Sequence, residues 1–262
     1  MIAFCSSSIA NFKPGLQRKY PHAKWPRLGR YGSSAVFFGM YHIMDVLRLV
    51  WHKNSIVVWC GSDILNMQKS PFLLWIVQCC NERHICENEV ERRALEGLGI
   101  EVGVMPQLFD CIEESEISFK HSERLQAYLC AHEGREEEYG VFEIDLVAEF
   151  LPDVDFHIYG IEGTSTNPNV FLHGRVSDEQ FREEIRKYHV AIRLNKFDGF
   201  SEVLARSAIM GQYQISRIQY PHMFHAPDAD SMIEHLVRLR DKIEPNYIGR
   251  EYWIEKLSEK FI

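Results

Sequence analysis

A chain of 262 residues and 30.7 kDa has room for one large domain or two small ones. With 46% apolar and 12% aromatic residues it is too hydrophobic to stay disordered. Its formal charge of −8 argues against a surface that binds nucleic acid or anionic lipid all over.

Short apolar runs alternate with segments of helical period, the pattern of a parallel sheet covered by helices. Strands are expected at Ile2 to Cys5, Ala35 to Gly39, Ile56 to Cys60, His84 to Cys86 and Val102 to Met105. Helices are expected at Ile43 to Trp51, Pro71 to Cys80 and Glu89 to Leu98, the last stopped by Gly99. Met44, Trp51 and Trp75 read as core. Residues 11 to 34, broken by Pro and Gly, read as a long irregular loop of the functional kind. The polar, acidic stretch from Asp110 to Arg124 reads as a linker. A second series follows, with strands at Leu125 to Cys130, Phe156 to Tyr159, Val170 to His173, Val190 to Leu194 and Tyr213 to Ile215. Its helices are Glu136 to Leu151, Asp178 to Tyr188 capped by Ser177, Phe200 to Met210 stopped by Gly211, and Ser231 to Lys242 opened by Asp228 or Asp230. The expectation is α/β architecture with two doubly wound, Rossmann-like domains, residues 1–122 and 123–245, facing a central cleft. Residues 246–262, with Tyr252, Trp253, Leu257 and Phe261, form a last helix expected to pack back on the N-terminal domain.

The seven cysteines, Cys5, Cys60, Cys79, Cys80, Cys86, Cys111 and Cys130, show neither Cys-x-x-Cys pairs nor zinc spacing. They read as reduced, buried thiols. The first residues lack the pattern of a secretory signal, and the longest apolar run, Pro71 to Val77, is far below the roughly 20 residues of a membrane span. A soluble cytoplasmic protein is expected.

The stretch from His173 to Gly211 carries the functional signal. A strand ends at Leu194, a loop Asn195-Lys196-Phe197-Asp198-Gly199 follows, and a helix begins near Ser201. Ligands of doubly wound sheets lie beyond the strands' carboxyl ends. The Phe200, Ser201 and Glu202 amides would therefore suit a phosphate, with Gly199 allowing close approach and Arg193 and Lys196 adding two cations. A plain surface turn before a capped helix is the other reading of this loop.

The same stretch resembles the signature of retaining GT-B glycosyltransferases, in particular family four, through His173-Gly174-Arg175-Val176-Ser177, Asp198-Gly199-Phe200-Ser201 and Ala208 to Gly211. The C-terminal half follows that family's order of elements, including Ala226-Pro227-Asp228; the N-terminal half matches only through Trp59-Cys60-Gly61-Ser62-Asp63. Two departures stand out. Asp198 takes the place of the motif's first acid, and the ribose-binding second acid is Arg206, which can pair only with phosphate or with Glu202 one turn earlier. In the loop after the strand ending at Cys130, Arg135 is the one permanent cation, so Arg193, Lys196 and Arg206 are expected to compensate.

The resemblance implies transfer of a hexose, with retention, from a nucleotide-diphosphate sugar to a hydroxyl acceptor. GDP-mannose is the leading donor and a UDP-hexose the next. Asp198, Lys196 and Arg193 are the expected catalytic residues. Gly199, Phe200, Ser201, Glu202, Arg206, His132 and Arg135 would hold the donor, His173, Gly174, Arg175 and Val176 its base, and Gly61, Ser62 and Asp63 the sugar or acceptor. No metal or other cofactor is expected. The partners are the nucleotide sugar and a glycan or glycoconjugate, without nucleic acid or a membrane span, and a homodimer is allowed. Each residue has a structural reading beside this one: Asp63 as a helix cap, His132 as a satisfied strand-end histidine, Ser6 to Ser8 as caps rather than acceptor contacts. Asp228-Ala229-Asp230 and Asp153-Val154-Asp155 read as cap and turn rather than metal motif. The alternatives are a catalytically lapsed nucleotide- or glycan-binding protein and a nucleotide-sugar epimerase on the same architecture.

Overall fold

A computed structural model describes residues 1–27, 29–80, 82–110, 112, 117–119, 122–242 and 244–259. It divides into two compact units, Met1–Cys111 with Phe197–Phe200, and Ile112–Lys196 with Ser201–Ile262. Cys111, Phe261 and much of the expected linker lie outside the described residues.

The first unit runs β1 (Ile2–Cys5), a 3-10 segment (Ser7–Phe12), α1 (Lys13–Lys19), β2 (Ala35–Phe38), α2 (Ile43–Trp51), β3 (Ile56–Val58), α3 (Ser62–Gln68), α4 (Pro71–Cys79), β4 (Arg83–Cys86), α5 (Glu89–Gly97) and β5 (Val102–Val104). The parallel strands stand in the order β1-β2-β3-β4-β5, with Ala3 opposite Val36 and Val57 opposite His84. The helices that follow β2 pack on one another, α2 on α4 and α3 on α5. Phe37, Val57, Val46, Leu49, Ile64 and Leu95 form the core there.

Side chains alternate along a strand, so Phe38 faces the other way. Its ring meets Tyr20 at 6.0 Å, Trp25 at 6.2 Å and Phe109 at 6.1 Å. The described residues between 11 and 34 are less irregular than expected: they hold α1, with Leu16 fully buried, and Lys24 pairs with Ile2 beside β1. Tyr20 and Trp25 from this stretch cover the side of the sheet that Phe38 presents.

Met44, Trp51 and Trp75 are not core: they are 53%, 41% and 60% exposed. Helix α2 is apolar on both sides. Val46 and Leu49 turn toward the sheet, while Ile43, Met44, Leu47, Val50 and Trp51 turn outward, as do the stacked rings of Phe72 and Trp75 on α4. The cysteines also differ from expectation. The six described are free, but only Cys86 is buried and Cys79 is exposed.

The second unit runs β6 (Leu125–Cys130), α6 (Glu136–Tyr139), α7 (Val141–Phe150), β7 (Val154–Tyr159), β8 (Val170–Leu172), α8 (Asp178–Glu184), β9 (Val190–Arg193), α9 (Glu202–Ile209), β10 (Tyr213–Ser216), β11 (Phe224–His225), α10 (Ala229–Leu239) and α11 (Tyr247–Ser258). Its parallel sheet has the order β11-β10-β9-β6-β7-β8. Ala127 on β6 stands opposite Phe156 on one side and Val190 on the other, so the order reverses between β6 and β9. The single helix expected from Glu136 to Leu151 is two, parted at Gly140 in the left-handed conformation (φ 76°). Ser177 caps α8 by accepting from the Gln180 amide, and Asp228 caps α10 by accepting from that of Ser231. Helix α11, expected to pack on the N-terminal domain, groups with the second unit. It lies against α9 within the second unit, with Trp253 buried and its indole N–H donating to the Pro221 carbonyl. Among the described residues no helix is long and apolar enough to cross a membrane.

Candidate donor and sugar sites

In a doubly wound sheet the ligand crevice lies where the strand order reverses. In the second unit that point is beyond the carboxyl ends of β6 and β9. Two arginines converge there on one ring. The Arg193 guanidinium, at the end of β9, lies 4.8 Å from the Tyr139 ring centre, and that of Arg135, in the loop after β6, lies 5.4 Å from it. Such cation–ring contacts hold guanidinium groups in place. Arg135 is also ion-paired with Glu138. A Cβ on Gly140 would come within 2.6 Å of Leu194, so only glycine lets the chain after Tyr139 approach the end of β9.

Around this pair, Lys196 is exposed and Asn195 is buried, with the Asn195 Oδ1 lacking a hydrogen-bond partner. Burial pushes the Cys130 thiol up to about 12, with Arg193 pulling against it. His132 is exposed, and its Nδ1 bonds the Glu133 carbonyl. Arg206 donates to Glu202 at 3.3 Å, the i,i+4 pairing open to it. Ser201 stands at the N-cap of α9 without a side-chain capping bond.

His173 belongs to a stack of rings. It lies 5.2 Å from His157 and 4.6 Å from Tyr159, with Phe171 and Tyr188 against His157. The His157 Nδ1 and His173 Nε2 are 2.9 Å apart, and burial lowers the pKa of His157 to about 4. Beyond it Gly174 turns the chain at φ 64°, its amide donating to the Ile161 carbonyl. Arg175 is exposed and Val176 half-buried.

The Asp198-Gly199-Phe200 loop groups with the first unit, and its environment corrects the amide expectation. The Phe200 N–H is not presented to an anion; it donates at 3.0 Å to Oε2 of Glu87, just beyond β4. Asn88 donates its side-chain amide to the Asp198 carbonyl at 2.8 Å, and the Gly199 amide bonds the Asp198 Oδ1. Gly61, at φ 89°, leaves room for the loop: a Cβ there would stand 2.8 Å from the Gly199 nitrogen.

Asp63 does not reach for a sugar. It is fully buried, inside α3 rather than at its cap, and its carboxylate accepts from the backbone amides of Met40, Cys60 and Ile64. Burial outweighs those bonds and raises its pKa to about 6. Ser62 beside it is exposed. Ser6 is also structural, its hydroxyl donating to Asp45 at 2.7 Å.

Glu87, Asn88 and Glu91 are the residues that sequence reasoning missed. Glu87 and Glu91 are 2% and 0% exposed, and burial first, then the neighbouring carboxylates, pushes both well above the usual carboxylate range. The available signals were a carboxylate just past a parallel strand's carboxyl end and the Asn88-x-x-Glu91 spacing of a helix start. Among the described residues no three His, Cys, Asp or Glu side chains form a metal-holding group.

No family model and no curated protein sequence matches the chain. Solved structures do resemble it. TarM, known from S. aureus, aligns with a TM-score of 0.64 at 14% identity over 88% of this chain and 53% of its own. The pneumococcal O-GlcNAc transferase GtfA, solved with UDP and GlcNAc, aligns at 0.59 and 12% over 88% of this chain and 55% of its own. The chain thus spans about half the length of these two. The lipopolysaccharide outer core galactosyltransferase WaaB aligns at 0.63 and 12% over 98% of this chain and 96% of its own. With its two parallel-sheet α/β units and these GT-B glycosyltransferases as structural neighbours, the chain has the GT-B fold.

Proposed function

We propose that this chain is a glycosyltransferase that binds a nucleotide-diphosphate sugar through its second unit and transfers a hexose, with retention, to a hydroxyl of a glycan or glycoconjugate. The observation that carries the reading is the paired Arg193 and Arg135 on Tyr139 at the strand-order reversal. Breaking the bond between sugar C1 and the diphosphate oxygen places negative charge on that oxygen, and fixed cations beside it lower the barrier. Arg193, Arg135 and Lys196 supply them. The acceptor hydroxyl bonds to C1 on the face the diphosphate leaves, and its proton passes to the departing phosphate oxygen. Asp198 is the residue assigned to the sugar hydroxyls. Fixed side chains carry the charge in this scheme, with no metal or cofactor assigned.

UDP-hexoses are the first donors to try, since GtfA was solved with UDP and GlcNAc and WaaB is a galactosyltransferase. GDP-mannose, the leading donor from the sequence, is the comparison arm. A lapsed, binding-only protein is favoured by one feature, Arg206 paired with Glu202 where a ribose-binding acid was expected. Calorimetric titration of UDP and GDP, followed by donor turnover, tests both. Arg193→Ala should weaken diphosphate binding by about tenfold or more with little change in melting temperature. Failure of every nucleotide to bind would sink the transferase reading, and binding without turnover would select the lapsed protein.

A further inference from the structure

We propose that Glu87 is a positioning residue: from the end of β4 it holds the Phe200 amide and so sets Asp198 for the sugar, while Asn88 fastens the Asp198 carbonyl. This deepens the transferase reading and rests on it. The geometry is that of a built support. Glu87 is 2% exposed, and its Oε2 accepts from Phe200 at 3.0 Å. Asn88 does two things with one side chain. Its Oδ1 accepts from the Val90 and Glu91 amides at 3.0 Å each, starting α5, and its Nδ2 donates to the Asp198 carbonyl at 2.8 Å. The loop is thereby tied at both ends to a helix start on a rigid strand. Glu91 fixes the support from behind, accepting from the Glu87 amide at 2.6 Å.

The second Glu87 oxygen, Oε1, is buried without a hydrogen-bond partner, and the carboxylates of Glu91, Asp198 and Asp63 all disfavour a charge there. Burial and these neighbours push Glu87 well above the usual carboxylate range, and Oε2 is the acceptor for Phe200. A glutamine offers the same acceptor and no charge. An alanine offers neither.

The test compares Glu87→Gln, Glu87→Ala and Asn88→Ser with the wild-type chain. Serine keeps a helix-capping oxygen but loses the amide donor. Three readouts are needed: amide hydrogen exchange of residues 198–200, binding of UDP and GDP, and kcat for donor turnover. Glu87→Ala should speed exchange at Phe200 at least about tenfold and lower kcat by about 10²-fold, the usual cost of a displaced catalytic group, while nucleotide affinity stays within about threefold. Asn88→Ser should show the same pattern, and Glu87→Gln should restore both exchange and kcat. A purely structural role would lower melting temperature, binding and kcat together and would not be rescued by glutamine. Unchanged protection at Phe200 in Glu87→Ala, or wild-type kcat in it, overturns the proposal. If Glu87→Ala does not fold, unchanged exchange in Asn88→Ser, or loosened exchange in Glu87→Gln, overturns it. If the wild-type chain turns over no donor, the transferase reading fails, and the exchange arm still decides whether Glu87 holds the loop.

Discussion

Replacing Gly199 by alanine tests the loop's packing. The added Cβ would stand 2.1 Å from Glu87 Oε2 and 3.5 Å from the Cys60 carbonyl carbon. An unstrained contact needs roughly 3.5 Å, so the carboxyl must retreat by more than about 1 Å. Retreat breaks the bond to Phe200 and leaves a buried amide unsatisfied, at about 1–3 kcal/mol, and incomplete retreat adds overpacking of similar size. A net loss of about 2–4 kcal/mol follows. At about 2–4 °C per kcal/mol for a chain of this size, the melting temperature should fall by roughly 5–15 °C. Urea unfolding by tryptophan fluorescence reads it, because Trp25, Trp51, Trp59 and Trp75 lie in the first unit and only Trp253 in the second. Gly97→Ala is the control. Gly97 ends α5 with nothing within 4 Å of its added Cβ, and the change should stabilise by about 0.5–1 kcal/mol. If Gly199→Ala matched the control in sign, the close approach of Glu87 to the loop would be refuted.

Two further outcomes are expected. On α2, Leu49→Ala should cost about 2–5 kcal/mol because Leu49 is fully buried, whereas Leu47→Ser, at a site 50% exposed, should stay within about 0.5 kcal/mol; similar losses in urea unfolding would contradict the orientation of that helix. The first unit should also lose stability as pH rises from about 4 to 7. Asp63 is raised from its ordinary 3.8 to about 6, so it contributes fully below pH 4 and its contribution is lost as pH climbs through about 6, a change on the order of 3 kcal/mol. Glu87 and Glu91 act in the same direction; urea midpoints that rise with pH across this range would contradict the burial of these acids.

The legible parts of the fold were those written in local pattern. Strand and helix alternation, the Ser177 and Asp228 caps and the stop at Gly211 need only near neighbours, and they led to the α/β class. The illegible parts depend on distant partners. Residues 11 to 34 looked irregular because α1 is short and the remainder gains its place only against Phe38 and Phe109. The outward rows of α2 and α4 looked like core because periodicity shows that a helix has an apolar face but not which face the sheet takes. In the second unit, Arg135 and Arg193 were visible as cations, while the Tyr139 ring that brings them together lies 54 residues before one and four after the other. Asp63 stood at the right strand end for a sugar contact, but three backbone amides use its carboxylate first.

The missed acids also bear on an aspartate standing in the loop where the resemblance led to a glutamate being expected. A shorter side chain has less reach, so where it points depends more tightly on its backbone. In this protein the backbone on both sides of Asp198 is held: its own carbonyl by Asn88, and the amide two residues on by Glu87. Gly61 and Gly199 remove the side chains that would otherwise keep the loop away. The support is placed where a charge is costly, since Glu87 and Glu91 stand with Asp63 among residues that admit little water. The acids there hold backbone amides, Asp63 those of Met40, Cys60 and Ile64, Glu87 that of Phe200 and Glu91 that of Glu87, while Asp198 is half-buried. Each unit thus has its own charged cluster: Arg135 and Arg193 on Tyr139 at the β6–β9 reversal of the second, and the buried acids Asp63, Glu87 and Glu91 in the first.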